Sequence, residues 1–182
     1  MDAIETERLV LRNFRRDDAA DLFTYLKEPV ASCFFSERLA DMDAAEREAE
    51  QRSRSNDMIA VCLKETGRMI GDLFAMPEED TYSVGWNFNP AFGGRGLAFE
   101  AAHALFIHLF ETRNARRLYA YVEDHNTRSQ RLCERLGMRQ EGLFIEYISF
   151  STDEAGAPIY ENTMQYALLR REWDALQQAK TG

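Results

Sequence analysis

At 182 residues the chain matches one domain of roughly 150 residues with an added element or two, and it is long enough to bury roughly 70% of its unfolded surface without disulfides or metal. Hydrophobic residues make up 45% of it and charged residues 29%, the composition of an ordinary globular protein. Lysine and arginine total 22 against 31 aspartates and glutamates, and the resulting formal charge of -9 repels a phosphate backbone, so nucleic acid is not an expected partner.

Cys33, Cys62 and Cys133 are odd in number and far apart, without the paired spacing of a metal or redox site. A reducing, cytoplasmic location is the expectation, with no metal. Met1 to Val10 carries Asp2, Glu5 and Glu7 where a secretion signal has a basic start and an apolar run. No stretch reaches the roughly 18 apolar residues of a membrane span. The longest, Ala101 to Phe110, is interrupted by His103 and His108 and reads as a buried helix.

In chain order, Ile4 to Phe14 alternates loosely between apolar and polar positions, as a strand does. Asp17 and Asp18 then stand where a helix amino end favours negative charge, ahead of the stripe Ala19, Leu22, Phe23 and Leu26, and Pro29 stops that helix. A second helix is predicted from Asp43, with Glu46 completing a capping box; its charged sequence suggests an exposed, mobile element. Asp57 to Lys64 and Arg68 to Met76 form a hairpin through Glu65, Thr66 and Gly67, and Thr81 to Phe88 continues the sheet with Tyr82, Val84, Trp86 and Phe88 on one face. After the loop Asn89 to Leu97 come a helix at Ala98 to Glu111, apolar nearly all round, a strand at Arg117 to Val122 and a helix at Thr127 to Leu136 closed by Gly137. Leu143 to Phe150 and Ile159 to Leu169 make a final antiparallel pair. With no linker or repeat, this order predicts one domain over 1–182 of class α+β, three layers α/β/α, with a mixed, mostly antiparallel sheet.

The most informative junction is the loop Phe92-Gly93-Gly94-Arg95-Gly96-Leu97-Ala98, which joins a strand to a helix amino end. Unpaired N–H groups there make an anion site, glycines let a ligand approach the backbone, and Arg95 adds positive charge in an acidic chain. A diphosphate suits that chemistry; plain loop geometry is the alternative. A P-loop needs Gly-Lys followed by Ser or Thr, whereas Gly94-Arg95-Gly96-Leu97 stands here. The dinucleotide fingerprint needs Gly or Ala at position 99 and finds Phe99. Neither ATP nor NAD is favoured.

The loop and its surroundings resemble the GCN5-related N-acetyltransferase (GNAT) superfamily, and within it the RimJ/RimL branch that acetylates ribosomal-protein amino termini. Four ordered segments carry the resemblance. Thr6-Glu7-Arg8-Leu9-Val10-Leu11-Arg12 is similar to that branch's opening strand, and Gly85-Trp86 through Pro90 to its acetyl-binding strand. Gly94-Arg95-Gly96-Leu97-Ala98-Phe99-Glu100-Ala101 resembles its pyrophosphate loop and helix. Asn126-Thr127-Arg128-Ser129, with Leu136-Gly137-Met138 and Glu141-Gly142, resembles its late coenzyme segment. The likeness spans roughly Thr6 to Trp173.

The resemblance implies acetyl-coenzyme A as donor substrate, with the backbone from Gly94 to Ala98, including Arg95, Gly96 and Leu97, around the pyrophosphate. It implies that Trp86, Asn87, Phe88 and Asn89 splay from the neighbouring strand to meet the pantetheine, with an N–H near Phe88 polarising the thioester carbonyl. Asn126 either meets the pantetheine arm or only caps its helix; Trp86 and Phe88 are either contacts or core. Three departures stand out. Gly93 occupies a coenzyme-contact position usually filled by a larger residue, Cys133 stands where many relatives place the tyrosine that protonates the thiolate, and Ser83 where many carry a glutamate.

The implied reaction is direct attack of a neutral amine on the thioester through a stabilised oxyanion. A thiol of pKa near about 8.5 leaves with little help, and Ser129, then Cys133, are the candidate donors; a first-turn helix position and a small core filler are the alternatives. Glu123, with Asp124 and His125, either acts through a water or forms a solvated turn. Losing a proton at pH 7 costs about 1.4 kcal/mol for an α-amine of pKa about 8, against about 4.6 for a lysine amine of pKa about 10.4. A site without a strong base therefore favours the α-amine of a protein amino terminus, with small-molecule amines also fitting. A coenzyme-binding regulatory module without turnover is the rival reading, and an interaction domain the third. The charged helix near Asp43 and the aromatic final strands offer surfaces for a homodimer or a substrate lid.

Overall fold

A computed structural model of the chain describes residues 2–181. The first strand segment is split: β1 (Ile4–Glu5) and β2 (Leu9–Asn13) pair antiparallel, with Ile4 opposite Leu11. Between them the Thr6 N–H donates to the Leu9 carbonyl at 3.0 Å, so a turn interrupts what sequence alternation reads as one strand. A 3-10 turn at Arg16–Asp18 then leads into α1 (Ala19–Leu26). The Asp18 carboxylate accepts from the Arg15 amide at 2.7 Å and from the Arg12 guanidinium at 2.8 and 2.7 Å. A 3-10 turn at Ser32–Glu37 has no counterpart in the sequence reading.

α2 (Met42–Ser53) corrects an expectation twice. Its cap is Asp41, not Asp43: the Asp41 side chain accepts from the Ala44 amide at 2.8 Å. Nor is it an exposed helix, because Ala45, Ala49 and Arg52 are buried on one face, in a core shared with Leu22, Tyr25 and Leu26 of α1. Two alanines are small enough to bring the helices together, and the charged residues that dominate the composition occupy the opposite face.

β3 (Met58–Leu63), β4 (Met69–Glu78) and β5 (Thr81–Phe88) follow as expected. α3 (Leu97–Ile107) ends in a π-helical turn at His108–Thr112, where the Arg113 N–H reaches the His108 carbonyl at 3.0 Å. β6 (Arg117–Glu123) and α4 (Thr127–Arg135) lead to the long hairpin β7 (Arg139–Thr152) and β8 (Pro158–Leu169). β7 starts earlier than its apolar run because its charged first residues are paired: Glu141 binds Arg117 at 2.6 Å and also Arg139. A last helix, α5 (Arg170–Thr181), goes unread in the sequence, although it places Trp173 in the core stacked on Phe110 with centroids 5.3 Å apart.

The eight strands are ordered β1-β2-β3-β4-β5-β6-β8-β7. Pairs β1–β2, β2–β3, β3–β4, β6–β8 and β7–β8 are antiparallel and β5–β6 is parallel, which gives the mixed α+β sheet expected. Among the described residues, no helix is long and apolar enough to cross a membrane. The chain divides into two compact units: Met1–Ala75 with Gly85–Leu105, and Met76–Val84 with Phe106–Gly182.

In the first unit a buried polar network joins α1, α2 and β4. The Tyr25 hydroxyl donates to Asp72 at 2.5 Å, and the Arg52 guanidinium reaches Asp72 at 3.2 Å, Glu37 at 2.6 Å and Glu48 at 2.7 Å. Burial works against the Arg52 charge, but Asp72, Glu48 and Glu37 outweigh it and hold the guanidinium pKa above its ordinary value. Removing one partner of such a pair strands the other. Arg52→Ala is expected to lower stability by about 3–5 kcal/mol, whereas Arg54→Ala, which breaks a largely exposed pair with Glu50, costs under about 1 kcal/mol. Urea unfolding of the two variants measures this, and equal losses would refute the structural role of the network.

Candidate active site

The loop from Gly93 to Gly96 is exposed, and Leu97 turns inward as the first residue of α3. Gly94 and Gly96 have φ of +75° and +77°, a region that a branched side chain adopts only under strain. Among the described residues, the Gly93 N–H is used locally, donating to the Pro90 carbonyl at 3.0 Å, but no backbone carbonyl accepts from the amides of Gly94, Arg95, Gly96, Leu97 or Ala98. Left-handed residues interleaved with ordinary ones, ahead of a helix whose first turn has no internal acceptors, create a concave row of donors suited to an anion.

What holds this loop lies far away in sequence. The Glu100 carboxylate, in the first turn of α3, accepts from the Thr6 hydroxyl at 2.6 Å, the Arg8 amide at 2.9 Å and Arg8 Nε at 2.7 Å. Arg8 Nη1 also donates to the Arg95 carbonyl at 3.0 Å. Burial alone would raise the Glu100 pKa, but the donors Thr6 and Arg8 lower it below the usual carboxylate value. Thr6 and Arg8, read from the sequence only as part of a strand, thus form a clamp that fixes both the helix start and the loop. The carbonyl of Arg95 is thereby drawn to Arg8, between two exposed glycines.

At the end of β5, Trp86, Asn87 and Phe88 are partly buried. Their position depends on Gly71 of β4, where a Cβ would stand 2.5 Å from the Asn87 carbonyl oxygen and 2.9 Å from the Phe88 Cα. Those neighbours are backbone, so only glycine allows the approach. Asn89 is a structural corner: its N–H donates to the Ile70 carbonyl at 2.9 Å, its Oδ1 accepts from Ala91 at 3.0 Å, and its Nδ2 donates to Thr24 at 2.9 Å. The parallel ladder joins Thr81, Tyr82 and Ser83 to Arg117, Leu118 and Tyr119 and ends there, although β5 runs on to Phe88 and β6 to Glu123.

In the second unit, Asn126 is the cap of α4, its Oδ1 accepting from the Ser129 amide at 3.2 Å while its Nδ2 donates to Glu123 at 3.3 Å. Glu123 is buried, so it is not part of a solvated turn, whereas His125 is exposed. Asn162, unremarked in the sequence, ties this turn to the hairpin: its Nδ2 donates to Asp124 at 2.8 Å and its Oδ1 accepts from the Glu146 amide at 2.9 Å. Ser129 is half-buried in the first turn of α4. Cys133, one turn on, has no exposed surface, and burial pushes its thiol up to about 12. Ser83, at the position without a glutamate, hydrogen-bonds the Tyr119 hydroxyl, which in turn donates to Glu78 at 2.7 Å. His103 stacks on Phe99 with centroids 5.5 Å apart, and no cluster of metal-ligating side chains occurs among the described residues.

The chain as a whole is similar to known proteins. A family model described as an acetyltransferase (GNAT) domain matches residues 8–139, and the chain belongs to that family. It is similar to the uncharacterized N-acetyltransferase YnaD of Bacillus subtilis, 28% identical over 174 residues that cover 94% of this chain and 99% of the relative. The p20 N-acetyltransferase of Bacillus licheniformis is 27% identical, covering 95% and 99%. Among solved structures, a GNAT acetyltransferase from Bacillus anthracis superposes with a TM-score of 0.83 at 26% identity, covering 93% of this chain and 99% of that one. The protein is therefore an acetyltransferase, of a family whose donor is acetyl-coenzyme A.

The clamp has a measurable consequence. Arg8→Met removes the bonds to Glu100 and the Arg95 carbonyl, and Arg8 is exposed enough for the fold to persist. Acetyl-coenzyme A affinity is expected to fall about tenfold, equivalent to about 1.4 kcal/mol, with kcat little changed; calorimetric titration and steady-state kinetics read the two.

Proposed function

We propose that the chain, working as one N-acetyltransferase-like domain over 1–182, passes the acetyl group of acetyl-coenzyme A directly to a primary amine in a ternary complex. The preferred acceptor is the α-amine of a protein amino terminus, as in the RimJ/RimL branch. The observation that carries the reading is the row of amides from Gly94 to Ala98 that no backbone carbonyl among the described residues uses. These N–H groups and the Arg95 charge hold the pyrophosphate. The edge of β5 from Trp86 to Phe88 offers hydrogen bonds to the pantetheine amides, and the Phe88 N–H polarises the thioester carbonyl.

The amine nitrogen attacks that carbonyl, the carbon–sulfur bond breaks, the amine gives up a proton and the thiolate takes one. Ser129 is the better donor to the thiolate. It keeps exposed surface at the head of α4, whereas Cys133 is enclosed and acts as a small core residue. Glu123 is a positioning residue: it orients Asn126, which accepts from the Ser129 amide. With no strong base assigned, the acceptor has to present itself neutral, which favours an α-amine over a lysine side chain.

Three measurements test this. Thermal unfolding with acetyl-coenzyme A, and with ATP and NADH as controls, should show stabilisation by the first alone, about 2.7 kcal/mol at a hundredfold excess over Kd. Gly96→Val, which strains the loop at φ +77°, should abolish it without unfolding the protein; undiminished binding refutes the loop assignment. Thiol release with peptides beginning in Ser, Ala or Gly, compared with polyamines and aminoglycosides, identifies the acceptor. Binding with no acceptor-dependent release would favour a regulatory module. Ser129→Ala is expected to reduce kcat about tenfold or more at unchanged KM, while Cys133→Ala keeps kcat within about twofold and lowers the melting temperature through the cavity it leaves.

A further inference from the structure

The glycine loop leaves β5 through a 3-10 turn, Pro90–Phe92, in which the Phe92 N–H donates to the Asn89 carbonyl at 3.0 Å. Two routes tie this turn to α1. In the first, Asn89 Nδ2 donates to the Thr24 hydroxyl at 2.9 Å, and that hydroxyl donates to the Asp21 carbonyl at 2.6 Å. In the second, the Asp21 carboxylate accepts from Arg68 Nε at 3.2 Å, from Arg68 Nη2 at 3.1 Å and from the Met69 amide at 3.0 Å. The same Arg68 guanidinium lies over the Phe92 ring, 5.9 Å from its centroid. Both routes start at one residue of α1, whose backbone oxygen serves Asn89 and whose side chain serves Phe92. Every residue in them belongs to the first unit, as does the loop itself.

A cation over an aromatic ring is attracted by the quadrupole of its face, and here the cation is itself fixed by a carboxylate. Arg68 is 52% exposed, so its ion pair with Asp21 adds little to overall stability. Its value is directional, because a planar guanidinium serves a carboxylate with its N–H fork and a ring with its face. Gly93 and Gly94 follow Phe92 directly, and the next fixed point of the loop is the Arg95 carbonyl on Arg8. The loop is thus strung between two guanidiniums, Arg68 at its entry and Arg8 at its exit. Glycines between them resist rearrangement least, so freeing either end disperses the amides.

We infer that Arg68, held by Asp21 and acting through the Phe92 ring, is a positioning residue for the diphosphate of the coenzyme. The inference rests on the proposed assignment of the amides from Gly94 to Ala98 to the pyrophosphate. It adds that recognition of the donor is governed from α1 and from the turn between β3 and β4, neither of which contributes a residue to the loop.

The test compares two donors by calorimetric titration, acetyl-coenzyme A and S-acetylpantetheine, which carries the same thioester without the diphosphate. The unaltered chain should bind the first more tightly by about tenfold or more. Arg68→Met and Phe92→Leu should each weaken acetyl-coenzyme A about fivefold and leave S-acetylpantetheine within about twofold. Phe92→Tyr, which keeps a ring face under the guanidinium, should restore the original preference. Thermal unfolding of each variant checks that the fold is retained. An equal loss for both donors overturns the inference, because the anchor is then structural only. A loss with Arg68→Met but none with Phe92→Leu also overturns it, since the guanidinium then meets the phosphates itself. A preference that survives every variant overturns the inference and spares the loop assignment; an unaltered chain that does not distinguish the donors overturns both.

Discussion

The shape of the loop ahead of α3, proposed above to receive an anion, rests on Glu100 being held by Thr6 and Arg8. A run containing two left-handed glycines has many conformations available to it, and an open row of amides is the least self-satisfied of them. The carboxylate of Glu100 accepts from a hydroxyl, an amide and a guanidinium that all come from the turn between β1 and β2, and the same guanidinium takes the Arg95 carbonyl. In the proposed function these bonds order the loop ahead of a ligand, so that a pyrophosphate is spared the entropy of arranging its own cradle. The exposed position of Arg8 makes each bond modest, but four converging bonds restrict the loop more than any one of them.

The end of β5 is governed by a different constraint, close approach. Gly71 leaves no side chain where the Asn87 carbonyl and the Phe88 Cα come in, and Asn89 ties the strand end to Ile70, Ala91 and Thr24. Behind this lies the buried network of Tyr25, Arg52 and Asp72, which joins β4 to both early helices. Two consecutive residues of β4 therefore serve opposite demands. Gly71 removes atoms so that backbone can approach, and Asp72 adds a charge that Arg52 and Tyr25 must satisfy.

The positions at which the sequence resemblance implied a departure find partial answers in the second unit. Ser83 brings no carboxylate, but it contacts Tyr119, and Tyr119 binds the carboxylate of Glu78. Cys133 brings a thiol that burial holds protonated and enclosed, whereas Ser129, one turn earlier in α4, keeps access to solvent. Asn126 serves a local need, its oxygen being the cap of α4 and its nitrogen bound to Glu123. A sequence motif of this kind records a turn geometry as much as a ligand contact.

The family, the α+β class, the order of most elements and the glycine loop ahead of α3 were legible in the sequence because each rests on local chemistry. Glycines ahead of an apolar helix, alternation in β5 and the hairpin at Gly67 need no distant partner to be recognised. What stayed hidden depends on partners far along the chain. The cap at Asp41, the buried face of α2 and the start of β7 are set by packing and ion pairs that override composition. The role of Arg8 lies in a residue 92 positions away, and the ring cluster of Tyr121, Phe144 and Tyr147 joins two strands that follow one another in the chain but are not neighbours in the sheet. Local backbone preference is written residue by residue, whereas a side chain's partner is chosen only when the sheet order brings distant segments within a few ångströms.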